Sequence, residues 1–404
     1  MTLYSSTRGQ VQNLTFEETV MMGLADDGGL LIPNELPNVS KKLKKWRNLG
    51  YKELSLEIMD LFTDENFPKQ DLKLIIQESY EKFRHSEITP TILIDNIHIL
   101  ELFHGPTFAF KDIALQFLGN LFEYFLSMRK HPLRILGATS GDTGSAAING
   151  LKGKNGVEVF MLFPKGRVSN IQERQMTTIL DTNIHNLAIN GSFDDAQSIV
   201  KKILNNHEFK KNYYLGSVNS INWARILAQI VYYFFAWFRI TKSDYDLVNF
   251  IVPTGNFGNI LAGYYAKKMG LPVDKLVIAT NENDILDRFF KTGKYYRSKL
   301  RKTLSPSMDI LVSSNFERYL YDLAGKSSKK LILWMKNFEN KGVLNIEKNL
   351  LKIAQKDFLS ASADDLEVIS IIQKYYKKFK YILDPHTAVG IYVAEKLKLE
   401  RPSI

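Results

Sequence analysis

The 404-residue chain contains no cysteine, which excludes disulfide bridges, a thiolate nucleophile and metal sites built from cysteine. Such a composition suits a reducing compartment but is compatible with any other. No run of eighteen apolar residues occurs, so the sequence predicts no membrane-spanning helix. The first nine residues, MTLYSSTRG, also lack the apolar core of a signal peptide. We therefore expect a cytoplasmic protein without a membrane partner.

Acidic residues are fewer than basic ones, 43 against 53, which gives a net charge of +10. A positive surplus can attract nucleic acid, a membrane surface or a small anion. The basic residues are scattered, however, and those at 41–45 and 375–378 are typical of solvated helix faces. No helix-turn-helix, zinc-finger or ribonucleoprotein motif occurs, and no His/Asp/Glu spacing indicates a metal site. The charge supports an anionic ligand only weakly, and we expect neither a nucleic-acid partner nor a bound metal.

The order of the predicted elements indicates an α/β protein of two or three domains. The first 92 residues are mainly helical, and residues 91–102 are predicted to form a hairpin around Asp95-Asn96. Strand-like runs then alternate with helices, which favours layers with mostly parallel strands. These runs lie at 133–136, 157–163, 184–189, 213–218, 247–252, 276–279 and 381–383. A polar stretch near 240 suggests a boundary, and we expect domains at 1–92, 93–240 and 241–404.

One lysine lies among aromatic residues where a helix is predicted to begin. The segment 103–112 is FHGPTFAFKD, and apolar residues recur every four positions after it. Lys111 would therefore lie near a helix N-terminus, where free amides and the helix dipole disfavour a cation. Burial against Phe108 and Phe110 would favour the neutral amine further, the form that attacks an aldehyde. The alternative is an ordinary surface lysine in a first helical turn.

A glycine-containing loop joins a predicted strand to a predicted helix at 253–260, PTGNFGNI. Gly255 and Gly258 permit a positive φ and a close approach of a ligand to the backbone. Successive amide groups and the helix dipole then suit a phosphate. The loop matches neither the Walker pattern nor the dinucleotide fingerprint. Taken alone, it could equally be an ordinary strand-to-helix connection.

The loop at 137–147, GATSGDTGSAA, also opens a predicted helix and is dense in polar side chains. An N-cap needs one such residue, whereas Thr139, Ser140, Asp142 and Thr143 provide four. We therefore favour a second anion site at this loop over a simple helix cap.

A third polar helix start lies at 216–225, GSVNSINWAR. Asn219, Ser220 and Arg225 lie around it, and Arg225 could either hold a phosphate bidentately or pair with a carboxylate. The lysine, the glycine loop and the two polar helix starts together suggest pyridoxal phosphate and an anionic substrate. That cofactor needs an amine for its aldehyde and a cup for its phosphate.

These motifs, in this order, resemble those of the threonine synthase family, pyridoxal-phosphate enzymes of the tryptophan-synthase β-like fold (fold type II). The resemblance covers nearly the whole chain. Its segments are YSSTRG at 4–9, GLADDGGL at 23–30, HGPTFAFKD at 104–112, SPSMDI at 305–310, SNFER at 314–318 and DPHTAVG at 384–390. It implies two open, mostly parallel α/β domains and an additional N-terminal, mainly helical domain. The domain at 93–240 would carry the cofactor lysine and the substrate site, and the one at 241–404 the phosphate loop.

The resemblance also implies roles for individual residues. Lys111 would form the Schiff base with pyridoxal 5'-phosphate and would move protons, and Thr387 would meet the pyridine nitrogen. Asp142 falls where related enzymes often place an asparagine beside the ring oxygen, and an ionised aspartate cannot donate a hydrogen bond there. The cofactor phosphate would be bound by Gly255, Asn256, Phe257, Gly258 and Asn259. The substrate carboxylate and phosphate would be bound by Thr139, Ser140, Thr143, Asn219, Ser220 and Arg225.

The reaction implied by the resemblance is the last step of threonine biosynthesis, carried out by a carbon–oxygen lyase acting on phosphates. It converts O-phospho-L-homoserine and water to L-threonine and phosphate, with the Lys111 amine removing the Cα proton. Shielding the reaction from water implies closure of one domain over the other. We expect a monomer or a homodimer.

Other interpretations remain open. The nearest is another pyridoxal-phosphate lyase of the same fold, such as a serine or threonine dehydratase or a phospho-lyase on a related amino acid. Arg225 and the hydroxyl-rich loop argue against a small neutral substrate. A nucleic-acid-binding protein would instead show steep salt dependence and no cofactor absorbance. His104 and His386 lie in the motifs, and each is either a proton relay or a structural histidine bonded to the backbone.

Overall fold

The computed structural model describes residues 2–404, apart from the side chain of His207. Its strands are β1 (Tyr4–Ser6), β2 (Leu31–Pro33), β3 (Thr91–Ile94), β4 (Ile97–Leu100), β5 (Leu133–Ala138), β6 (Val157–Pro164), β7 (Ile184–Ile189), β8 (Leu215–Gly216), β9 (Val248–Pro253), β10 (Val273–Thr280), β11 (Lys294–Tyr296), β12 (Val343–Asn345) and β13 (Phe358–Ser362).

The helices alternate with the strands after β4. They are α1 (Phe16–Met22), α2 (Leu43–Trp46), α3 (Tyr51–Met59), α4 (Lys69–Glu81), α5 (Lys111–Ser127), α6 (Asp142–Leu151), α7 (Asn170–Thr177), α8 (Phe193–Leu204), α9 (His207–Asn212), α10 (Trp223–Ile240), α11 (Gly258–Lys268), α12 (Ile285–Thr292), α13 (Phe316–Leu323), α14 (Ser328–Lys341), α15 (Lys348–Asp357), α16 (Asp365–Phe379) and α17 (Pro385–Leu397), with short 3₁₀ turns at Ser40–Lys42, Asp60–Phe62 and Pro306–Met308.

One parallel sheet has the strand order β7-β6-β5-β8. Its register pairs Ile135 with Val159, and both side chains are fully buried. The strands predicted at 133–136, 157–163 and 184–189 are confirmed. The strand predicted at 213–218 is reduced to Leu215–Gly216, which pairs with Arg134 and Ile135.

A second parallel sheet has the order β13-β10-β9, with Leu276 opposite both Phe250 and Phe358. The strand predicted at 381–383 is wrong, and β13 supplies the third strand instead. Residues 381–383 form the link between two helices, because Lys380 ends α16 in a left-handed conformation and Asp384 caps α17. Leu383 is buried by side-chain packing rather than by strand pairing.

The N-terminal part of the chain consists mainly of helices α1 to α4, which share one apolar core with α5, α10 and the first sheet. Helix α10 is buried on every face from Trp223 to Phe238, as its almost wholly apolar sequence requires. It therefore lies at the centre of the molecule, and its N-terminus places Arg225 in the interior.

The last residues join the β3–β4 hairpin to the second sheet. The Ser403 carbonyl accepts the His98 amide hydrogen bond (2.9 Å), while Asn249 donates to the Pro402 carbonyl and Ile251 to the Ile404 carbonyl (2.9 and 2.8 Å). The hairpin thus extends the sheet that contains β9. None of the helices described for residues 2–404 combines the length and hydropathy that a bilayer crossing requires.

Candidate active site

The predicted site residues lie where strands of both sheets end and helices begin. The β5 strand leads to the start of α6 at Asp142, and β9 leads to the start of α11 at Gly258. Ligands of parallel α/β sheets bind at such carboxyl ends, where helix N-termini present free amides. Lys111 begins α5 and contacts Asp142 at the start of α6, so these two helix starts meet.

The Lys111 amine forms an ion pair with the Asp142 carboxylate, and its side chain is only 11% exposed. The amine also lies 5.1 Å from the centre of the Phe110 ring. The prediction that Phe108 helps to bury Lys111 is wrong. Phe108 is 60% exposed, and its ring centre lies 4.1 Å from the Arg84 guanidinium carbon. The ion pair therefore holds the Lys111 amine at the start of α6.

Asp142 is held in the ionised form. Burial alone would raise the pKa of this carboxyl, but the Lys111 ammonium and the hydrogen bond from Ser307 lower it well below its usual value. The Ser307 hydroxyl donates to Oδ2 at 2.6 Å, and the Thr143 amide donates to Oδ1 at 2.7 Å. An ionised Asp142 acts as an acceptor for whatever group lies beside it.

The glycine loop presents a set of free backbone donors. Within residues 2–404 no protein acceptor is found for the amides of Gly255, Asn256, Phe257, Gly258 or Asn259. Phe257 adopts a left-handed conformation (φ 62°) that its ring supports by packing on the side chains of Phe316 and Phe358. Five unpaired amides at a helix N-terminus are a donor set of the kind that can bind a phosphate.

The carbonyl side of this loop is held by the segment that precedes α13. Ser313 donates its hydroxyl hydrogen to the Gly255 carbonyl (2.6 Å), and the Asn315 amide donates to the Asn256 carbonyl (3.1 Å). The Asn259 side chain points into the protein, where its amide oxygen accepts hydrogen bonds from Tyr232 and Tyr233. The oxygen of the Asn259 side chain is therefore already engaged, whereas its backbone amide is free to bind a ligand.

In the loop at 137–147, the second predicted anion site, several backbone amides are already bonded to side chains of the same loop. Thr139 is 2% exposed, and its hydroxyl accepts hydrogen bonds from the amides of Gly141 (3.0 Å) and Gly144 (2.8 Å). Thr143 donates to Asp142, whereas Ser140 is exposed. Thr139 therefore shapes the loop, and Ser140 and Thr143 are the hydroxyls nearer the surface.

Arg225 is buried, and part of its guanidinium has no partner among residues 2–404. Its side chain is 3% exposed, and neither Nε nor Nη1 has an acceptor among the described residues. Burial lowers the pKa of this guanidinium to about 10, and the charge of Asp142 opposes that effect. Nearby, the Ser220 hydroxyl meets that of Ser314 (3.1 Å), and Asn219 donates to Ser217 (2.8 Å). A buried cation without an acceptor indicates a site for an anion.

A further helix start, that of α17, is linked to Asp142 through Ser307. The Asp384 carboxylate caps this helix and accepts hydrogen bonds from the Thr387 hydroxyl and from the His386 amide (2.8 Å). Burial would raise the pKa of Asp384, but the hydrogen bonds from His386 and Thr387 lower it to about 2. The His386 Nε2 atom accepts the Ser307 amide hydrogen (3.2 Å), which places the ring proton on Nδ1, facing Asp384.

His104 has a different set of partners. Its Nε2 atom is 2.8 Å from the Glu101 carboxylate, whose other oxygen accepts the Tyr381 hydroxyl (2.8 Å).

Two residues of the site were not assigned a role from the sequence. Ser307 lies in a quoted segment, but its partner Asp142 is 165 positions away. Asp112 is fully buried and accepts the amide and hydroxyl hydrogens of Thr107, which fixes the turn before α5.

The donor set fits pyridoxal phosphate. It offers an amine at 11% exposure, five free amides for a phosphate and an ionised acceptor at Asp142. Family models agree: one described as "Threonine synthase N terminus" matches residues 3–80, and one described as "Pyridoxal-phosphate dependent enzyme" matches residues 87–343. The chain is thus a pyridoxal-phosphate-dependent enzyme of fold type II.

Individual relatives narrow this class. The threonine synthase of Schizosaccharomyces pombe is 50% identical, over 96% of this chain and 82% of that protein. The crystal structure of a pyridoxal-phosphate-bound threonine synthase from Brucella melitensis superposes with a TM-score of 0.96 at 42% identity, covering 100% of this chain and 87% of that one. The yeast threonine synthase structure gives 0.93 at 49% identity, covering 98% and 84%. This chain belongs to the threonine synthase family of pyridoxal-phosphate-dependent lyases.

Proposed function

We propose that this enzyme converts O-phospho-L-homoserine and water to L-threonine and inorganic phosphate, with Arg225 binding the substrate phosphate. The observation that carries the substrate assignment is the buried guanidinium, whose Nε and Nη1 atoms have no acceptor among the described residues. A phosphate can accept both of these hydrogen bonds and neutralise the charge. The membership of the threonine synthase family supports the same substrate.

The cofactor would be held by Lys111 through its aldehyde and by the amides of residues 255–259 through its phosphate. Thr387 would face the ring nitrogen, and Asp142 would face the ring oxygen beside Lys111. When bound, pyridoxal phosphate supplies an electron sink for negative charge that develops on the substrate carbons. The remaining chemistry is binding and proton transfer by side chains of this chain.

Lys111 is the proposed proton carrier. Once its amine is free, it can accept the substrate Cα proton, and the adjacent Asp142 carboxylate stabilises the ammonium that results. The Lys111 ammonium can later return a proton to the substrate. Because Lys111 sits at the start of α5, whose following residues are buried from Asp112 to Phe122, its backbone is fixed while its side chain moves.

The substrate carboxylate would be bound at the start of α6. Ser140 and Thr143 lie on the accessible side of that loop, and Thr139 maintains its shape through two backbone amides. Asn219 and Ser220 lie just before α10 on the way to Arg225. In this proposal the carboxylate and the phosphate bind at the starts of two different helices, which suits a substrate charged at both ends.

A dehydratase acting on serine or threonine is the nearest competing function. Its substrate has no second anion, so it would leave Arg225 buried and unpaired in the substrate complex, which costs free energy. The same reasoning disfavours nucleic acid as the partner, since a guanidinium that is 3% exposed is accessible to a small molecule rather than to a polymer.

The test is phosphate release from O-phospho-L-homoserine by the enzyme loaded with pyridoxal phosphate, with L-threonine identified as the co-product. We expect turnover in the wild type and none in Lys111→Ala, because the proton carrier is then absent. L-Serine and L-threonine serve as alternative substrates. Production of keto acids from them, without phosphate release from O-phospho-L-homoserine, would favour a dehydratase and refute the proposal.

Two finer points belong to the same proposal. The enzyme would act in the cytoplasm, and it would do so as a monomer or homodimer. Cell fractionation tests the first point, and light scattering on the eluting holoenzyme tests the second.

A further inference from the structure

Arg84 holds the segment of chain that leads to Lys111. The four successive carbonyls of residues 104–107 all accept hydrogen bonds from donors elsewhere in the chain. Arg84 supplies the donors for the first three: its backbone amide lies 2.9 Å from the first carbonyl oxygen, Nη1 donates to the second, and Nη2 lies 3.4 Å from the third. Gln175 of α7 donates to the fourth at 3.1 Å. Because Arg84 follows α4, it connects the N-terminal helices to the start of α5.

The same segment contains a backbone conformation that its residue disfavours. Phe108 has a left-handed backbone (φ 59°), which crowds the side chain of a bulky residue. The Arg84 guanidinium carbon lies 4.1 Å from the centre of the Phe108 ring, a cation–π contact that supports this conformation. Phe108 lies three residues before Lys111. Relaxation of its φ would therefore change the direction in which the chain enters α5.

We propose that Arg84 is a positioning residue, which holds the turn at Phe108 in its strained conformation and thereby keeps the Lys111 amine at the Asp142 carboxylate. The inference rests on the proposed function, because it concerns the approach of Lys111 to the cofactor and the substrate. Arg84 is exposed, so its side chain acts through these contacts rather than through packing in the core.

Arg84→Met in the holoenzyme tests the proposal, since methionine keeps apolar contact with the Phe108 ring but removes the guanidinium. We expect kcat for O-phospho-L-homoserine to fall about tenfold, because a small displacement of the reacting amine is costly. The KM should stay within about twofold, since Arg225 lies on a different helix start. The visible circular-dichroism band of the bound cofactor depends on how Lys111 orients it, and it should lose about half of its intensity or more.

Arg288→Met is the matched control. The Arg288 guanidinium carbon also lies 4.1 Å from an aromatic ring centre, that of Tyr296, and Nη2 donates to the carbonyl of the same residue at 3.1 Å. These contacts lie outside the turn before Lys111, so kcat and the dichroism band should stay near their wild-type values. The urea unfolding midpoint should fall no further in Arg84→Met than in Arg288→Met, because Arg84 is the more exposed of the two.

A double-mutant cycle identifies the route of the effect. Glycine adopts a φ near 60° without strain. In a Phe108→Gly background, Arg84→Met should therefore lower kcat by less than about threefold, because the conformation that Arg84 supports is no longer strained.

Three results would overturn the inference: wild-type kcat and dichroism in Arg84→Met, an equal loss in Arg288→Met, or a full tenfold loss in the Phe108→Gly background. Failure of the proposed function is distinguishable, because the wild type would then release no phosphate from O-phospho-L-homoserine, while the dichroism of the bound cofactor would still report on Arg84.

Discussion

Two buried arginines show how one residue type serves two purposes in this protein. Arg318 is fully buried and donates to the Leu31 carbonyl (2.9 Å), the Ile221 carbonyl and the Asn315 side chain. Arg225 is equally buried but leaves Nε and Nη1 without acceptors in residues 2–404. Burial lowers the pKa of both to about 10. Only Arg318 recovers the cost of burying its charge within the fold, so only Arg225 is available to a ligand.

Replacing each arginine with methionine should separate stability from binding. Arg318→Met leaves two backbone carbonyls and an amide oxygen unpaired, so the free energy of unfolding should fall by about 3–5 kcal/mol. Arg225→Met should leave that free energy unchanged or raise it by about 1 kcal/mol, yet raise the KM for O-phospho-L-homoserine about a hundredfold or more. Urea unfolding and steady-state kinetics measure both. Comparable destabilisation by the two substitutions would contradict the functional assignment of Arg225.

At the residue scale the sequence predicted that Lys111, Asp142 and Arg225 lie at helix starts, but not which contacts each of them makes. Arg225 and Lys111 were identified because helix starts are legible from apolar spacing. Ser307 could not be assigned, since its partner lies 165 positions away and nothing local marks a serine as a hydrogen-bond donor to it. Phe108 was misjudged for a related reason: its left-handed backbone (φ 59°) turns the ring outward, and aromatic composition does not reveal a single dihedral angle.

Helix starts are the elements from which this site is built, and that of α17 has a measurable acid dependence. Asp384 caps the helix, and its pKa falls from 3.8 to about 2 in the folded chain, against the opposing effect of burial. A carboxyl with a lowered folded-state pKa stabilises the fold fully above its unfolded pKa. That contribution is lost as the pH falls through the folded value.

Asp384→Asn should flatten this acid dependence. Asparagine caps helices as well as aspartate does, so the helix start is retained while the titrating group is removed. Between pH 3.8 and about 2, the wild type should lose more stability than the variant. The difference should stay below about 1 kcal/mol, because the Asp384 side chain is 55% exposed. Urea unfolding midpoints across this pH range measure the difference in stability. Parallel pH dependences in the two proteins would show that the titration of Asp384 does not contribute to the acid dependence of stability.

Element prediction succeeded where the pattern was local and failed where packing decided. The runs at 157–163 and 184–189 are long enough to be recognised as strands, and the first of them is largely buried. The three apolar residues at 381–383 resemble a strand equally well, but helices begin and end on either side of them. The true edge strand, Phe358–Ser362, carries two serines and an alanine, so its hydrophobic signal is weak. Its register opposite Leu276 to Thr280 makes it a strand.

At the scale of the whole molecule, the N-terminal segment is connected to the glycine loop at 253–260 through α13. Glu317 accepts hydrogen bonds from the Thr7 hydroxyl (2.8 Å) and from Arg8 Nη2 (3.2 Å), a contact across more than 300 positions. Ser313 and Asn315, just before α13, hold the carbonyls of the phosphate loop. The motifs at 4–9 and 314–318 are therefore halves of one contact that lies beside the glycine loop at 253–260.

Glu317→Ala should disturb both ends of this connection. The Thr7 hydroxyl and the Arg8 guanidinium would lose an acceptor that is 8% exposed, so the free energy of unfolding should fall by about 2–3 kcal/mol. The affinity for pyridoxal phosphate should fall as well, because Ser313 and Asn315 lie on the same segment. Urea unfolding and absorbance titration of the cofactor measure the two effects.

Glu17→Ala is the matched control, since its ion pair with Arg129 is exposed on both sides and should contribute less than about 1 kcal/mol. Equal behaviour of the two variants would mean that the N-terminal segment folds independently of the site, and the physical link between these distant motifs would have to lie elsewhere.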